Sequence, residues 1–184
     1  YSQEKIEKDL KKLGATYLVM NENEIIDKTV QCLENGDAIG WFQGRMEFGP
    51  RALGNRSIIG DPRSSTMQKN LNLKVKYRES FRPFAPSVLN DDVSEWFNIK
   101  EESPYMLLVA NVNENRRLEQ HANDELFGIE LLNVPKSDIP AVTHVDYSAR
   151  IQTVHEDTNP GYYNLIKEFE ALSGCPVLVN TSFN

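Results

Sequence analysis

The stretch NPGYYNLIKEFEALSGCPVLVNTSFN, residues 159–184, predicts a helix followed by a buried strand. Asn159 can cap the free N–H groups at a helix start, and Pro160 has the fixed backbone angle that suits the first turn. Gly174 can end the helix in the left-handed conformation. The apolar run 176–179 is typical of a strand that is covered on both faces. The stretch therefore predicts a helix–strand unit.

Apolar residues at helical spacing mark the faces of two predicted helices. In the helix after Asn159, these residues are Ile166, Phe169 and Leu172. A second helix is predicted over residues 25–33, where apolar positions recur at similar spacing. We expect each apolar face to pack against other elements of the core.

Outward from these units, the pattern predicts a sheet with flanking helices. A further helix is expected over residues 65–73, and residues 113–140 are polar and predict a long surface excursion. Prolines at positions 83 and 86 indicate that the strand at 84–89 is an edge or irregular strand. Mixed helices and strands predict the α/β (or α+β) class, with a single domain and a twisted mixed sheet. The predicted strands are 37–42, 84–89, 105–112 (buried type), 141–145, 149–154 and 176–179.

The composition is that of one ordinary globular domain. The 184 residues are 40% hydrophobic and 26% charged, which suffices for one sizeable core. No apolar run reaches the ~18 residues that a membrane helix needs, and the first residues lack a signal-peptide pattern. Cys32 and Cys175 lie far apart, so we expect two reduced thiols in a cytoplasmic protein. Because the chain starts at Tyr1 rather than at a methionine, we expect an excised piece of a longer protein.

Basic residues are concentrated in one window of an acidic chain. The formal net charge is −7, yet residues 40–90 contain nine basic and three acidic side chains. A basic island in an acidic protein predicts a local anion site. It argues against broad nucleic-acid binding, which usually needs a basic face or domain.

Residues 44–57, GRMEFGPRALGNRS, form a glycine-rich loop with three arginines. Glycine lets backbone N–H groups approach a ligand closely, and arginine grips phosphate or carboxylate with two parallel hydrogen bonds. The stretch matches neither the phosphate-binding loop nor the dinucleotide-binding fingerprint. A structural loop, whose arginines pair with Glu47 and Asp61, is an equally good interpretation from the residues alone. The three arginines are Arg45, Arg51 and Arg56.

Residues 76–86, KYRESFRPFAP, place three cations close together. In an extended segment Lys76, Arg78 and Arg82 would point to one side, because their positions share parity. Repeated like charge on one side is unfavourable unless an anion answers it. The stretch therefore favours a polyphosphate-binding role. The alternative is that these charges protect an exposed strand edge from aggregation.

Two further segments place polar residues on or after strands. In HVDYSARIQTV, residues 144–154, polar Arg150 and Gln152 flank an apolar residue, which alone indicates a half-solvated strand. In NTSFN, residues 180–184, hydroxyl and amide groups follow a buried strand. Strand ends of this kind commonly bind ligands in α/β sheets, although an ordinary turn has the same composition.

The four segments, in this order, resemble the C-terminal region of the carbamoyltransferases that carbamoylate nodulation factors and antibiotics. The similarity covers residues 25–184 and includes KYRESFRPFAPSVL and GCPVLVNTSFN. The resemblance implies a YrdC-like fold with a concave basic pocket. It implies that residues 23–184 form this domain after a leading or linker segment, residues 1–22. It also implies an N-terminal domain of the metal-binding Kae type elsewhere in the same chain.

The implied reaction is carbamoyl-adenylate formation from carbamoyl phosphate and ATP. Mg²⁺ would accompany ATP, bound mainly by phosphates and water. No metal ligands are expected in this region, and iron or another metal would belong to the N-terminal domain. The implied catalytic residues are Lys76, Arg82 and Arg150; the implied nucleotide-binding residues are Arg78, Ser182, Asn184, Arg45, Arg51, Arg56 and Thr153.

The chain departs from this family's pattern in two places. Tyr147 stands where the family usually has a small residue, commonly glycine. Family members also continue beyond the position of Asn184, with a G-E-P-I-type segment, so we expect the site to need that segment. Two other interpretations stay open: a nucleotide- or RNA-binding module without chemistry, and a folded piece without activity. No membrane partner is expected, and the acidic balance outside residues 40–90 disfavours nucleic acid.

Overall fold

A computed structural model of the chain describes residues 1–119, 132 and 134–184. The predicted surface excursion at 113–140 therefore lies partly outside the described residues. Short turns complete the architecture: a π-helix at Asn72–Lys76 and 3-10 turns at Asn90–Asp92, Glu114–Arg116 and Pro140–Val142. The helices are α1 (Gln3–Lys12), α2 (Glu22–Glu34), α3 (Met67–Leu71), α4 (Val93–Trp96) and α5 (Pro160–Ser173); the strands are β1 (Ile39–Phe42), β2 (Arg56–Gly60), β3 (Ala85–Leu89), β4 (Leu108–Asn111), β5 (Ser148–Val154) and β6 (Val177–Thr181).

The helix–strand unit α5–β6 forms as its sequence predicts. The Asn159 side chain accepts a hydrogen bond from the Tyr162 N–H, and Gly174 ends the helix with φ of 71°. The helix buries residues at positions i, i+3, i+4 and i+7, namely Tyr162, Leu165, Ile166 and Phe169. Complete burial of a side chain such as Phe169 stabilises the fold by roughly 2–3 kcal/mol. Leu172, predicted on this face, is 57% exposed because it lies one residue before the helix ends.

The helix predicted at 25–33 is α2, which packs against α5. It begins earlier than predicted because Asn21 and Glu24 form a reciprocal capping box. Its buried face includes Ile26, Val30 and Leu33. The helix predicted at 65–73 corresponds to α3 and continues into the π-helix.

The described strands form one mixed six-stranded sheet in the order β1-β2-β6-β3-β5-β4. Strands β3 and β5 are parallel, and every other neighbouring pair is antiparallel. The α/β class and the single mixed sheet are therefore confirmed. Strand β6 lies between β2 and β3, so its C-terminal end is near the centre of the sheet.

Three strand predictions are wrong in detail. Strand β3 is internal rather than an edge, because its ladder with β5 begins at Ser87, after Pro86. Residues 105–112 yield only β4, an edge strand on which Val109 is 63% exposed. Residues 141–145 contain part of a 3-10 turn instead of a strand, although Ala141 and Val142 are buried. Short apolar runs show burial more clearly than backbone conformation.

Helix α1 has no buried residue, and α2 is the first helix that contributes to the core. The predicted boundary between a leading segment, residues 1–22, and the domain, residues 23–184, stays a prediction.

Cys175 is buried, and burial raises the pKa of its thiol to about 12. Among the described helices, none has the length and apolar character needed to cross a lipid bilayer.

Candidate anion-binding site

The arginine-containing loop 44–57 is held in shape by the Glu47 carboxylate. One carboxylate oxygen accepts hydrogen bonds from the backbone N–H groups of Leu53 (2.8 Å), Asn55 (2.8 Å) and Arg56 (3.2 Å). Burial opposes ionisation of this carboxyl, but the N–H groups outweigh it and lower the pKa of Glu47. The carboxylate thus acts as an internal anion for the loop backbone.

Arg56 braces this loop instead of facing a ligand cavity. Its Nη1 donates to the carbonyls of Gln43 and Asn55, both at 2.7 Å, and its Nη2 donates to the Gly44 carbonyl at 3.1 Å. The guanidinium also stacks 3.4 Å from the centre of the Phe42 ring. The guanidinium N–H groups of Arg56 thus bind carbonyl oxygens of the loop, which gives Arg56 a structural role.

Gly54 allows the loop to lie against α5. Its φ is 102°, and a Cβ at this position would approach the Tyr162 ring to 2.2 Å. The two remaining arginines, Arg45 and Arg51, are exposed. Arg51 lines the cavity described below, whereas Arg45 is not among its lining residues.

The interpretation in which the loop's arginines pair with Glu47 and Asp61 is wrong. Asp61 instead binds Arg63, with Nη2 at 2.8 Å from a carboxylate oxygen. Arg63 also binds Glu34 at 2.5 Å. Among the described ion pairs, none joins Glu47 or Asp61 to an arginine of the loop.

Lys76 and Arg78 do not lie on an extended strand, so the argument from shared parity is wrong. Lys76 is the last residue of the π-helix, and Tyr77 follows in the left-handed conformation with φ of 50°. The tight turn through Tyr77 nevertheless leaves both cations on one cavity wall.

A buried asparagine organises this turn. Asn72 is fully buried, and its Nδ2 donates to the carbonyls of Ser80 (3.1 Å) and Arg82 (2.8 Å). Its Oδ1 accepts from Nε of Arg78 at 2.6 Å. Sequence analysis missed Asn72 because an asparagine in a helical stretch carries no signal of its tertiary partners.

The Lys76 ammonium reaches the chain that follows β6. It donates to the Ser182 carbonyl, to Ser182 Oγ at 3.3 Å and to the backbone oxygen of Asn184 at 2.5 Å. Burial lowers the pKa of Lys76, and the charge of Arg78 lowers it further. Segments 76–78 and 182–184 therefore meet in space, although Lys76 and Ser182 are 106 residues apart in the sequence.

Arg150 extends from β5 into the same cavity with few protein partners. Its Nη2 lies 3.9 Å from the sulfur of Met106, a buried residue with φ of 56°. Its Nε is buried without a partner among the described residues. Burial lowers the pKa of Arg150, and neighbouring Arg51 lowers it further.

Asn180, on β6, contributes a buried amide; it belongs to the predicted ligand-binding segment 180–184, of which only Ser182 and Asn184 were predicted as site residues. Its Nδ2 donates to the Ala52 carbonyl (2.9 Å) and to Oε1 of Gln152 (2.8 Å). That Oε1 also accepts from Ser87 Oγ at 2.6 Å, while Gln152 Nε2 donates to the Leu53 carbonyl at 2.9 Å. A polar residue within a buried strand was the available signal, because such groups need partners.

These residues enclose a cavity of about 180 Å³. A second cavity, of about 320 Å³, shares Pro83, Phe84, Ala85 and Arg150 with it. No carboxylate side chain is among the lining residues of the smaller cavity, all of which are described. That lining consists of Pro50, Arg51, Ala52, Lys76, Arg78, Pro83, Phe84, Ala85, Met106, Arg150, Asn180, Thr181, Ser182 and Asn184.

Two predicted site residues lie outside the lining. Arg82 is exposed and forms an ion pair with Glu79 at 2.9 Å. Burial lowers the pKa of Arg78, and the positive charge of Arg82 lowers it further. Thr153 is buried in β5, where its hydroxyl accepts from the Ser103 N–H at 2.9 Å. Arg82 thus lies beside the cavity cations, whereas Thr153 fixes a neighbouring segment.

Tyr147 occupies a backbone position that favours glycine. Its φ is 65°, in the left-handed region, and its ring lies 4.7 Å from the Arg117 guanidinium. The turn before β5 is closed by Asp146, which accepts from the hydroxyl and N–H of Ser148 and contacts His144. These hydrogen bonds lower the pKa of Asp146 to about 2.

Comparison with known proteins places the chain among carbamoyltransferases. Residues 30–184 match the family model described as Carbamoyltransferase C-terminus. The chain is 58% identical to the uncharacterized protein sll1178 of Synechocystis, over all of this chain and 30% of that protein. It is 40% identical to the nodulation protein NolNO of Sinorhizobium fredii, over all of this chain and 25% of that protein.

A further similarity is to the 3'-hydroxymethylcephem-O-carbamoyltransferase of Amycolatopsis lactamdurans. The identity is 38%, over 86% of this chain and 26% of that enzyme. The chain thus spans between a quarter and a third of the length of these relatives. The match over residues 30–184 shows that the chain belongs to the carbamoyltransferase C-terminal family.

Proposed function

We propose that this region activates a carbamoyl group, forming carbamoyl-adenylate from carbamoyl phosphate and ATP. The observation that carries the proposal is the cavity itself, where Arg51, Lys76, Arg78 and Arg150 gather without a carboxylate among the lining residues. Cations in such a setting need an external anion for charge balance. Both substrates supply phosphate groups.

The pKa directions support a polyanionic ligand. Burial and neighbouring positive charge lower the pKa values of Lys76, Arg78 and Arg150. Each cation is therefore less stable in the free protein than in water, and a bound triphosphate would relieve both causes. The two adjoining cavities together reach the size range typical of small-molecule sites; Asp146 lines the larger cavity, whereas the cations gather in the smaller one.

The proposed chemistry proceeds in two steps. Water cleaves carbamoyl phosphate into carbamate and inorganic phosphate. A carbamate oxygen then attacks the α-phosphorus of ATP, the bond from that phosphorus to the bridging oxygen breaks, and pyrophosphate leaves with the electron pair. Carbamate is a weak nucleophile, so positioning and charge stabilisation supply most of the catalysis.

Each lining group has a proposed role in these steps. Lys76 and Arg78 stabilise the charge of the departing pyrophosphate, and Arg150 holds the carbamoyl phosphate or the α-phosphate. Ser182 and Asn184 bind the adenylate from the end of β6. Arg82 adds positive charge from beside the cavity. The lining has no carboxylate for Mg²⁺, which fits an ion held by ATP phosphates and water.

We further propose that a separate part of the whole protein transfers the carbamoyl group to a hydroxyl acceptor. The relatives are three to four times as long as this chain, and one is named an O-carbamoyltransferase. The Kae-type domain implied by the resemblance, with iron or another metal, would perform that transfer. We assign the reaction to the cytoplasm, where ATP is available.

The test is pyrophosphate release by the full-length protein incubated with ATP, Mg²⁺ and carbamoyl phosphate. We expect release in the wild type and a loss of 100-fold or more, as an order of magnitude, in Lys76→Ala and Arg150→Ala. Lys74→Ala is the matched control, since Lys74 is exposed and outside the lining. ATP binding without pyrophosphate release from wild type would instead indicate a nucleotide-binding module.

A further inference from the structure

Two buried polar atoms of opposite character lack partners among the described residues that surround them. They are Oδ1 of Asn180, a hydrogen-bond acceptor, and Nε of Arg150, a donor. Asn180 is only 1% exposed, and both residues line the cavity of about 180 Å³. Leaving such groups unsatisfied is unfavourable, so the pair points to a ligand that both donates and accepts.

The orientation of the Asn180 amide follows from its neighbours. The Ala52 carbonyl can only accept, so the amide atom facing it must be the NH₂ group. The Gln152 amide supports this orientation of Asn180. Its Nε2 donates to the Leu53 carbonyl, so its Oε1 is the atom that accepts a hydrogen bond from Asn180. The chain of amides therefore assigns the unpartnered atom of Asn180 as the carbonyl oxygen.

A carbonyl oxygen among cations needs an N–H or O–H group from the ligand. Ionised phosphate oxygens only accept hydrogen bonds, so the triphosphate cannot satisfy Oδ1 of Asn180. Carbamoyl phosphate carries an NH₂ group directly beside its phosphate-bearing end. Its carbonyl and phosphate oxygens can in turn accept from Nε of Arg150.

We propose that Asn180 is the residue that recognises the NH₂ of the carbamoyl group and so selects carbamoyl phosphate over other acyl phosphates. This inference rests on the proposed function. Arg150 binds the oxygen side of the same group, while Gln152 and Ser87 hold the Asn180 amide in orientation.

The test compares two stable analogues of equal shape by calorimetry on the full-length protein. Phosphonoacetamide keeps the NH₂ group, and acetonylphosphonate replaces it with a methyl group. We expect wild type to bind phosphonoacetamide about tenfold more tightly, since the methyl group leaves Oδ1 without a partner. Equal affinities would overturn the inference, and this arm does not depend on any variant folding.

Variants then assign the preference to Asn180. In Asn180→Ala we expect the two affinities to become equal while ATP affinity stays at its wild-type value. Lys74→Ala is the matched control: Lys74 is exposed, lies outside the cavity lining and the chain of amides, and the variant should keep the preference. An Asn180→Ala protein that loses ATP affinity but keeps the preference would contradict the assignment, pointing to a ribose or adenine donor.

The two proposals fail in different ways. If the analogue preference is present and no pyrophosphate forms, carbamoyl recognition stands and adenylate formation is wrong. If pyrophosphate forms and the two analogues bind equally, adenylate formation stands and the role of Asn180 is wrong.

Discussion

Arg63 and the cations of the cavity have opposite surroundings. Arg63 binds Asp61 and Glu34 within 2.8 Å, and its Nη1 donates to the Ser173 carbonyl at the end of α5 at 3.3 Å. The cavity cations, by contrast, face one another and carbonyl oxygens. Hydrogen bonds to Asp61, opposed in part by burial, raise the pKa of Arg63, while burial lowers those of Lys76 and Arg150.

The difference separates structural from ligand-binding cations. A cation answered by protein carboxylates stabilises the folded chain and has little charge left for a ligand. A cation that has like-charged neighbours and no carboxylate partner lowers the free energy of unfolding, and its charge stays available to bind an incoming anion. Sequence counting assigns each of these side chains the same single positive charge, so only their neighbours distinguish them.

The largest expected effect is on the structural side of the comparison. Arg63→Met leaves Asp61, which is 6% exposed, as a buried carboxylate without its main partner. We expect a loss of about 3 kcal/mol in the free energy of unfolding, measured by urea denaturation. The affinity for ATP should stay unchanged. A variant that lost ATP affinity at full stability would break the comparison.

Glu47 gives a pH test of the loop that carries Arg51. The folded-state pKa of Glu47 is lowered, so its contribution to stability is present at neutral pH and is lost as the pH falls through that lowered pKa. We expect Glu47→Gln to reduce unfolding free energy by about 2 kcal/mol at pH 7, because three backbone N–H groups lose a charged acceptor. The difference between the variant and wild type should shrink as the pH falls through the lowered pKa of Glu47. A difference independent of pH would indicate a packing effect.

For a cation of the cavity, we expect a change in the free energy of unfolding that is opposite in sign to that of Arg63→Met. Arg150→Met removes a partly buried cation that is repelled by Arg51 and that forms none of the ion pairs found among the described residues. We expect the unliganded variant to gain up to about 1 kcal/mol in unfolding free energy. Thermal unfolding with and without ATP measures both quantities, and the protection by ATP should disappear. A clear destabilisation of the unliganded variant would contradict the comparison.

The smallest expected effect concerns the turn that leads to Arg150. Tyr147→Ala and Tyr147→Gly both remove the ring above Arg117, but only glycine relieves the left-handed backbone. We expect the glycine variant to be more stable than the alanine variant by roughly 0.5–1 kcal/mol in thermal unfolding. Equal stabilities would show that this backbone position is not strained.

The parts of the fold that the sequence predicted well are those set by neighbouring residues. Asn159 and Gly174 bound α5 because caps act within one turn, and the run before Asn180 forms β6 because it is continuously apolar. The predictions failed where distant pairing decides. The proline at position 86 indicated an edge, yet the ladder with β5 starts one residue later.

In the candidate site, too, the predictions succeeded where residue chemistry was sufficient and failed where partners distant in the sequence decide the role of a residue. Residue chemistry indicated Lys76, Arg78, Arg150 and Ser182, which line one cavity. It could not indicate that Arg56 would be used by its own loop. Nor could it find the roles of Asn72 and Asn180, whose hydrogen-bond partners include residues 10 and 128 positions away in the sequence.

The position of β6 between β2 and β3 has a consequence for motion. Both of its edges are hydrogen-bonded, so the floor of the cavity cannot shift without breaking two ladders. Any closure around a substrate would therefore involve the walls, where the chain turns through the left-handed residues Tyr77 and Met106. In that case β6 would hold Asn180 and the start of the 182–184 segment at fixed positions while the walls adjust to the length of the ligand.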